Sequence, residues 1–525
     1  MTVENKPFTS KSVFMISGGC LAAFVLAAAI NLDALQTLVN SLFGLSCTYF
    51  GPIWQIMLLA HFLIALGLMF SSVGSVRLGG FDAKPEFSFF KWVAMIMCAL
   101  LAGGGVFWSA AEPITHFLNV PPSIVGYTGG DAQAVGPGMA QAFLHWGFLA
   151  WAILGTLGAI VLMYACHSKG MPFQPRSLLY PIMGEKGVKG PWGTVVDATS
   201  IIAVAAGTIG PIGFLSLQIS YALQQVAGIP DTFSTQLAVI VFMTLVYTLI
   251  AITPIYKGIN IISQINVYTA LFVMSVIMIL GPGGFVVDAF FSGMGIYIKE
   301  FFNLSLYRGD TGWLSWWTVF FWGWFLGYGP MMVIFTARIS HGRTIRELML
   351  AVAVIAPIAT NIWFSVLGGA AISFELTNPG SIAGPMAEVG YQTALFSAIN
   401  QLPLTAIMIP VTFALLVMFL VTTGAGMTYS IAISVTDKAN PPKWAILFWG
   451  LIMGAIAAIL VKMGSGGVGA LQTSIVIAAV PVTIYFFPLL WTGPQCALKM
   501  KAEQEQAAAA ANCPAAASPP EPAAT

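Results

Sequence analysis

The chain of 525 residues carries 20 Lys plus Arg and 19 Asp plus Glu, so only 7% of it is charged, whereas 58% is hydrophobic. Soluble proteins are about 25% charged, and a soluble fold of this length could not cover its surface with so few charges. The composition therefore predicts an integral membrane protein. A net charge of +1 excludes a nucleic acid partner held by a basic surface. The six cysteines have no CxxC spacing and predict neither a disulfide framework nor a zinc site.

Runs of about 20 apolar residues predict twelve transmembrane helices. The first run lacks a small-residue cleavage site behind it, so we expect it to remain as a membrane helix. The predicted spans lie at 13–30, 51–72, 89–110, 141–165, 195–224, 233–253, 265–287, 314–336, 348–373, 404–434, 444–461 and 470–492. Two further segments, 290–303 and 384–400, predict helices that do not span, and the first is amphipathic enough to lie along the interface.

The basic residues predict the orientation of these spans. With the N-terminus inside, all of the 20 Lys and Arg residues except Lys299, Arg308 and Lys462 fall in cytoplasmic segments. We therefore predict a multi-pass membrane protein with both termini cytoplasmic. Its parts are an N-terminal segment at 1–12, a twelve-span membrane domain at 13–492 and an Ala/Pro-rich tail at 493–525, which we expect to be disordered.

Tryptophans and other aromatic residues are concentrated between Trp313 and Tyr328. The first three tryptophans, at the outer end of the eighth span, fit an aromatic belt at the membrane interface. The deeper rings lie roughly 8–17 Å further along a helix that rises ~1.5 Å per residue. Their spacings of three and four place them on neighbouring helix faces. They are Trp322, Trp324, Phe325 and Tyr328. Packing and ligand binding both remain open for rings at that depth.

Glycines are expected to disturb three spans, because each glycine in a helix costs ~1 kcal/mol against alanine. Such sites in transporters often expose backbone carbonyls to a cavity. The segments are Gly103-Gly104-Gly105 in the third span, Gly207 to Gly213 in the fifth and Thr422-Thr423-Gly424 in the tenth. The spans hold almost no carboxylates, and Glu112 is assigned to an outer end. A cation at mid-membrane would therefore be held by ring faces, which suits a quaternary ammonium group.

At these residues the chain resembles the betaine/choline/carnitine transporter family. The closest stretch is Trp317-Thr-Val-Phe-Phe-Trp-Gly-Trp-Phe, followed by Ala337-Arg-Ile-Ser-His-Gly-Arg-Thr-Ile-Arg-Glu347. The family pattern there reads WT, two residues, an aromatic and WxWW, and later ARISRGRTIRE. Further matches are Phe107-Trp108 through Glu112-Pro113, His145-Trp146, Gln218-Ile219 and Val421-Thr422-Thr423. The resemblance therefore covers nearly the whole chain.

The resemblance implies a secondary transporter and not an enzyme. It implies an all-α membrane fold whose spans 3–7 and 8–12 form two inverted five-helix repeats of the leucine-transporter type, assembled in the lipid bilayer as a homotrimer. The implied substrate is an onium solute with a trimethylammonium or dimethylsulfonium head, such as glycine betaine, choline, carnitine or dimethylsulfoniopropionate. The implied box of rings comprises Trp146, Trp151, Trp322, Trp324, Phe325 and Tyr328.

The box departs from the family pattern at three positions, which leaves the particular substrate open. Phe325 and Tyr328 stand where the family typically has Trp, and Leu154 stands where it often has Tyr.

The resemblance also implies sodium as coupling ion, with no other cofactor. The implied ligands are the hydroxyls of Thr422 and Thr423 and the backbone carbonyls of Phe419, Cys98 and Leu101. Oxygen ligands suit a hard cation, although threonine hydroxyls can equally bond back to helix carbonyls. Two alternatives stay open: a sodium-independent onium exchanger, and an amino-acid symporter of the same architecture. A channel is disfavoured, because no repeated carbonyl filter or ring of pore carboxylates is visible.

Overall fold

The computed structural model of the chain describes residues 11–101, 104–253, 256–436, 440–465 and 467–511, and only the backbone of 98–101, 256–260 and 511. These residues form helices joined by short loops, and an isolated antiparallel bridge joins Arg77 to Thr344. Within the described ranges, eleven helical segments are long and apolar enough to cross a membrane. The predicted class, an all-α multi-span membrane protein, is confirmed at this level.

The helices of the first half of the chain are α1 Lys11–Ile30, α2 Leu32–Phe70, α3 Phe89–Leu101, α4 Gly104–Leu118, α5 Val135–Trp146, α6 Phe148–Gly155, α7 Leu157–Met163, α8 Tyr180–Lys189, α9 Pro191–Ala227, α10 Phe233–Ile252 and α11 Tyr256–Leu280. Those of the second half are α12 Gly283–Lys299, α13 Phe301–Leu306, α14 Thr311–Trp316, α15 Thr318–Ile339, α16 Ile345–Leu350, α17 Ala356–Phe364, α18 Ala370–Thr377, α19 Ala383–Glu388, α20 Ala394–Asn400, α21 Thr405–Thr436, α22 Lys443–Met463, α23 Gly469–Phe486 and α24 Leu489–Ala511.

The third predicted span corresponds to α3 and α4, whose described parts are each too short to count among the eleven. The sequence predicts a disturbance at Gly103-Gly104-Gly105, and residues 102–103 lie outside the described residues. The segments predicted not to span, at 290–303 and 384–400, correspond to α12 with α13 and to α19 with α20.

Several predicted boundaries differ from the structure, including one end each of α2, α11 and α23. Helix α2 begins at Leu32 and not at 51, because the Asn31 side chain accepts a hydrogen bond from the backbone N–H of Ala34 and caps an apolar run. Helix α11 ends at Leu280, because Pro282 lacks an N–H to continue it. The last apolar span ends at Phe486, where α23 gives way to α24.

The prediction that glycines disturb the fifth span is wrong, because α9 runs unbroken from Pro191 to Ala227. Its glycines serve close packing instead. A Cβ added at Gly210 would lie 2.5 Å from Ile475 Cδ1, and one at Gly213 would lie 2.5 Å from Leu471 Cδ1. The small residues therefore let α9 approach α23.

The fourth span is irregular, although its residues predict no irregularity. The helix is interrupted at Gly147 and again at Thr156, which separate α5, α6 and α7. A Cβ at position 147 would lie 2.2 Å from the carbonyl oxygen of Phe143. This distance is too short for any residue that has a Cβ atom. The first interruption directly follows Trp146 and turns the chain between Trp146 and Trp151.

Helix α15 lies at the centre of the protein. Every residue from Trp317 to Pro330 is buried, as is every residue of α9 from Ala203 to Ala222. The rings predicted to lie deep in the eighth span are therefore enclosed by other helices and do not face lipid.

The tail predicted to be disordered from residue 493 is helical as far as Ala511, and residues 512–525 lie outside the described residues. Ala, Glu, Gln and Lys are strong helix formers, and α24 buries Cys496, Ala497 and Met500 against the protein. Further along, the Glu503 carboxylate lies 2.9 Å from Lys169 Nζ. Partial burial raises the pKa of Glu503, but hydrogen bonds from Lys169 and Ser168 bring it below its ordinary value. The prediction of disorder, which rests on composition alone, is therefore wrong for residues 493–511.

Truncation after residue 502 is expected to leave the uptake rate unchanged and to lower the melting temperature by about 2 °C or less. It removes the partly exposed Glu503–Lys169 pair and the two hydrogen bonds between Gln504 and the Arg77 backbone. Contacts of this kind contribute little to stability. Truncation after 488, which removes all of α24, is the control and should lower the melting temperature clearly. A loss of uptake in the shorter truncation would contradict this expectation.

Candidate substrate and ion site

A cavity of about 570 Å³ lies between helices α3, α4, α5, α9, α11, α15, α17 and α21. Its described lining is apolar and aromatic, with a few hydroxyl and amide groups and no charged side chain. The aromatic lining residues are Trp146, Trp324, Phe325, Tyr328, Phe335, Trp363 and Phe419, and the polar ones are Ser263, Asn266, Thr422, Thr423 and Ser430.

Three of the rings form a corner, which we call the ring corner: Trp146, Trp324 and Phe325. Trp324 and Phe325 are nearly parallel, with an interplanar angle of 23°. Trp146 stands across both, at 80° to Trp324 and 88° to Phe325, with centroid distances of 5.9 and 5.3 Å. A cation is attracted to a ring face within about 6 Å of its centroid. Ring faces in two perpendicular directions can therefore surround part of a bulky onium head.

Trp324 is held in place from two sides. Its indole N–H donates a hydrogen bond of 3.1 Å to the carbonyl oxygen of Gly207. Its ring edge lies against Gly104 at the start of α4, where an added Cβ would come within 2.1 Å of Trp324 Cη2. The glycine-rich start of α4 therefore makes room for this ring.

Gly104→Ala is expected to displace the Trp324 ring and to weaken substrate binding about fivefold, because a rigid indole cannot yield without leaving its rotamer. Gly105→Ala is not a matched control, since Trp363 donates to the Gly105 carbonyl. Gly295→Ala in α12 is the better comparison, because Gly295 is not among the cavity-lining residues and nothing lies within 4 Å of an added Cβ there. Dissociation constants of the substrate from the two variants test this expectation. Equal values would contradict the proposed packing of Trp324 against Gly104.

The structure brings together four of the six residues predicted for the box, namely Trp146, Trp324, Phe325 and Tyr328, all of which line the cavity. The other two lie outside this lining. Trp151 is 3% exposed and donates to Thr360 Oγ1 at 3.0 Å, and Trp322 is fully buried edge-on to His145. A direct role for these two in binding remains a prediction.

The belt interpretation fits only part of the outer tryptophans. Trp316 is 43% exposed, as expected at an interface. Trp317 is buried and packs against His116 at a centroid distance of 4.4 Å. It belongs to the protein interior.

The two predicted ion-binding hydroxyls lie on the cavity wall formed by α21, and they differ in their hydrogen bonds. Thr422 Oγ1 donates to the carbonyl oxygens of Met418 and Phe419, at 2.9 and 3.1 Å. Thr423 Oγ1 is buried and has no hydrogen-bond partner. An unpartnered buried hydroxyl is costly, and a cation would satisfy its oxygen. The backbone carbonyls of Cys98 and Leu101, the third-span ligands implied by the resemblance, belong to the end of α3, and their part in the ion site remains a prediction.

A buried polar cluster lies directly behind Trp146. Glu112 of α4 is fully buried, and its Oε2 accepts a hydrogen bond of 2.7 Å from the Trp146 indole N–H. Its Oε1 lies 2.5 Å from His145 Nδ1 and 3.5 Å from His116 Nε2. These three side chains also form a possible metal-binding group within the described residues. Since both carboxylate oxygens already face nitrogen donors, the arrangement is that of a hydrogen-bonded cluster.

The family model for betaine/carnitine/choline transporters matches residues 12–502 of this chain. The chain belongs to the betaine/carnitine/choline transporter family. Its members are transporters and not enzymes, which agrees with a helical membrane protein built around an uncharged, ring-lined cavity.

Similar members of the betaine/carnitine/choline transporter family come from several bacteria. The chain is 49% identical over 492 residues to glycine betaine transporter 2 of Vibrio parahaemolyticus, which covers 94% of this chain and 91% of that protein. It is 33% identical to the glycine betaine transporter OpuD of Bacillus subtilis, over 94% of this chain and 96% of that protein. It is 30% identical to the ectoine/hydroxyectoine transporter of Virgibacillus pantothenticus, over 96% and 100%.

Two features of this family member's site were missed by sequence reasoning. Trp363 of α17 lines the cavity and donates to the Gly105 carbonyl at 2.9 Å, but it stands alone in an apolar segment and gives no signal. Glu112 was assigned to the outer end of a span, although it contacts Trp146. Its chain neighbours could not reveal a partner on another helix.

Proposed function

We propose that this family member imports an onium solute such as glycine betaine by sodium symport, with the onium head at the ring corner. The observation that carries the proposal is the set of nearly perpendicular ring faces in a cavity whose described lining has no charged side chain. An onium head cannot donate a hydrogen bond from nitrogen or sulfur, so ring faces are its natural partners. Relatives named as glycine betaine transporters support the same substrate class.

The proposed architecture has twelve spans, with α3 and α4 together as the third, and two inverted five-helix repeats in spans 3–7 and 8–12. The proposed orientation has both termini in the cytoplasm of a bacterial inner membrane, and the proposed assembly is a homotrimer. The positive-inside pattern supports this orientation. Contacts of α24 with Ser72, Arg77 and Lys169 place three segments predicted to be cytoplasmic on one face.

The cavity extends along α15 from Trp324 to Phe335, towards the helix end at Ile339. The Arg77–Thr344 bridge lies just beyond that end, on the face contacted by α24. This direction fits a transporter in a cytoplasm-facing state, from which substrate and sodium would be released.

Sodium would be held by Thr422, Thr423 and the Phe419 carbonyl. The unpartnered Thr423 hydroxyl supports this assignment, and hydroxyl and carbonyl oxygens suit a hard monovalent cation. The alternative of a sodium-independent exchanger is not favoured by any particular contact, and the experiment below separates the two.

Uptake by proteoliposomes containing the purified full-length chain tests the proposal. Labelled glycine betaine, choline, carnitine, dimethylsulfoniopropionate and ectoine would each be offered with an inward sodium gradient and with potassium in its place. We expect uptake of at least one onium solute, dependent on sodium. Equal uptake in potassium would contradict symport. Uptake of ectoine alone, or of none of the five, would contradict the onium assignment.

A further inference from the structure

The Glu112 carboxyl group is fully buried and, among the residues that the structure describes, forms no ion pair with a Lys or Arg. Within the described residues, its ion-pair neighbours within 4 Å are His116 and His145. Buried ionisable groups inside a membrane protein are expensive and generally serve function. A carboxylate at such a site needs either a proton or a compensating cation.

The hydrogen bonds around His145 indicate which charge the cluster carries. In the orientation of the structure, His145 Nε2 faces the Gln141 amide nitrogen at 2.8 Å and the Thr318 hydroxyl at 2.9 Å, and both groups can donate to it. His145 then carries its hydrogen on Nδ1, which donates to Glu112 Oε1. This tautomer is neutral. Both oxygens of Glu112 therefore accept hydrogen bonds from N–H groups, of His145 and of Trp146, as an ionised carboxylate does.

The indole of Trp146 lies between Glu112 and the cavity. The indole N–H donates to Glu112 Oε2, while the same ring lines the cavity and forms one side of the ring corner. A hydrogen bond to a charged acceptor is stronger than a neutral one and polarises its donor. Electron density is thereby shifted into the ring, whose face becomes more attractive to a cation.

We propose that Glu112 is the counter-ion of the substrate's onium head, acting through the indole of Trp146. The inference rests on the proposed transport of onium solutes and adds the residue that gives the uncharged cavity its preference for a positive head. Glu112 is a positioning residue here, since it acts through Trp146 and does not line the cavity itself.

The test compares two ligands of the same shape. Glycine betaine carries a trimethylammonium head, whereas 3,3-dimethylbutanoate carries a tert-butyl group in its place and is otherwise the same molecule. Dissociation constants for both would be measured on the purified full-length chain, as wild type and as Glu112→Gln. Glutamine keeps the size and the acceptor for Trp146 but removes the charge. We expect Glu112→Gln to weaken betaine binding on the order of tenfold, but not to weaken binding of the carbon analogue, which carries no positive head.

Thr360→Val is the matched control. Thr360 accepts the indole hydrogen bond of Trp151, a tryptophan outside the cavity lining, and carries no charge. This variant should leave the affinities for both ligands unchanged.

Three results would overturn the inference: equal weakening of both ligands by Glu112→Gln, no weakening of either, or the same loss in Thr360→Val. Should Glu112→Gln fail to fold, Glu112→Asp and Glu112→Asn form a pair of equal size that differs in charge. Aspartate is then expected to retain a larger preference for betaine over the analogue than asparagine, and equal preferences would overturn the inference. A wild-type protein that binds both ligands equally, or neither, would instead contradict the proposed function.

Discussion

Replacing Trp146 or Trp324 by leucine is expected to weaken onium binding by tenfold or more while the protein still folds. Leucine keeps the site apolar but removes the ring face, and a desolvated cation over an aromatic ring gains up to ~2 kcal/mol or more. At ~1.4 kcal/mol per tenfold change, this corresponds to about thirty-fold in affinity. Titration of glycine betaine against each purified variant measures the loss directly.

Trp316→Leu is the control for this experiment, because Trp316 is the exposed tryptophan at the end of α14 and should tolerate the change. Phe325→Trp tests the opposite direction. It restores the ring that the family commonly carries and is expected to bind at least as tightly, since Trp is the strongest cation–π partner. If Trp316→Leu and Trp324→Leu weaken binding alike, the rings of the cavity serve packing and the substrate binds elsewhere.

Removing the unpartnered hydroxyl in Thr423→Ala is expected to raise the sodium concentration for half-maximal uptake about tenfold, because an oxygen bonded to a cation contributes more than a neutral hydrogen bond. Substrate selectivity should change little, since the ring corner is left intact. Uptake measured over a series of sodium concentrations, with a fixed onium concentration, gives the half-saturation value.

The matched control is Thr428→Ala. Thr428 lies on the same helix, is fully buried and also has a hydroxyl without a partner, but it does not line the cavity. Its removal should leave the sodium dependence unchanged. An equal shift in both variants would show that the effect comes from packing of α21. Uptake that is as fast in potassium as in sodium would contradict the ion site as a whole.

The spans and the cluster of deep rings could be predicted because their signals are local. Apolar runs of membrane length and aromatic residues three and four apart on one helix need no knowledge of the neighbours. The position of Trp324 and Phe325 on a buried helix follows from this spacing, and the structure places both on the cavity wall.

The effect of each glycine was much harder to predict, because a glycine can either break a helix or allow another to approach. In α9 the glycines make room for Ile475 and Leu471 and the helix continues. At Gly147 the chain is interrupted instead. Both outcomes depend on which neighbouring atoms occupy the missing Cβ position, and a single sequence does not contain that information.

Partners on other helices were the main omission in the predicted site. Glu112 and Trp146 are far apart in the sequence, and their hydrogen bond arises only when α4 packs against α5. Trp363 enters the cavity from α17 for the same reason. The interior of the site could be anticipated from residue types, whereas the groups that hold and polarise its rings could not.

The central claim is that the onium head lies at the ring corner, and a cryo-EM structure with glycine betaine bound tests it most directly. The account predicts density for the trimethylammonium group within about 6 Å of the ring centroids of Trp146, Trp324 and Phe325. Density for the ligand beside Trp151 or Trp322, or outside the cavity altogether, would contradict it.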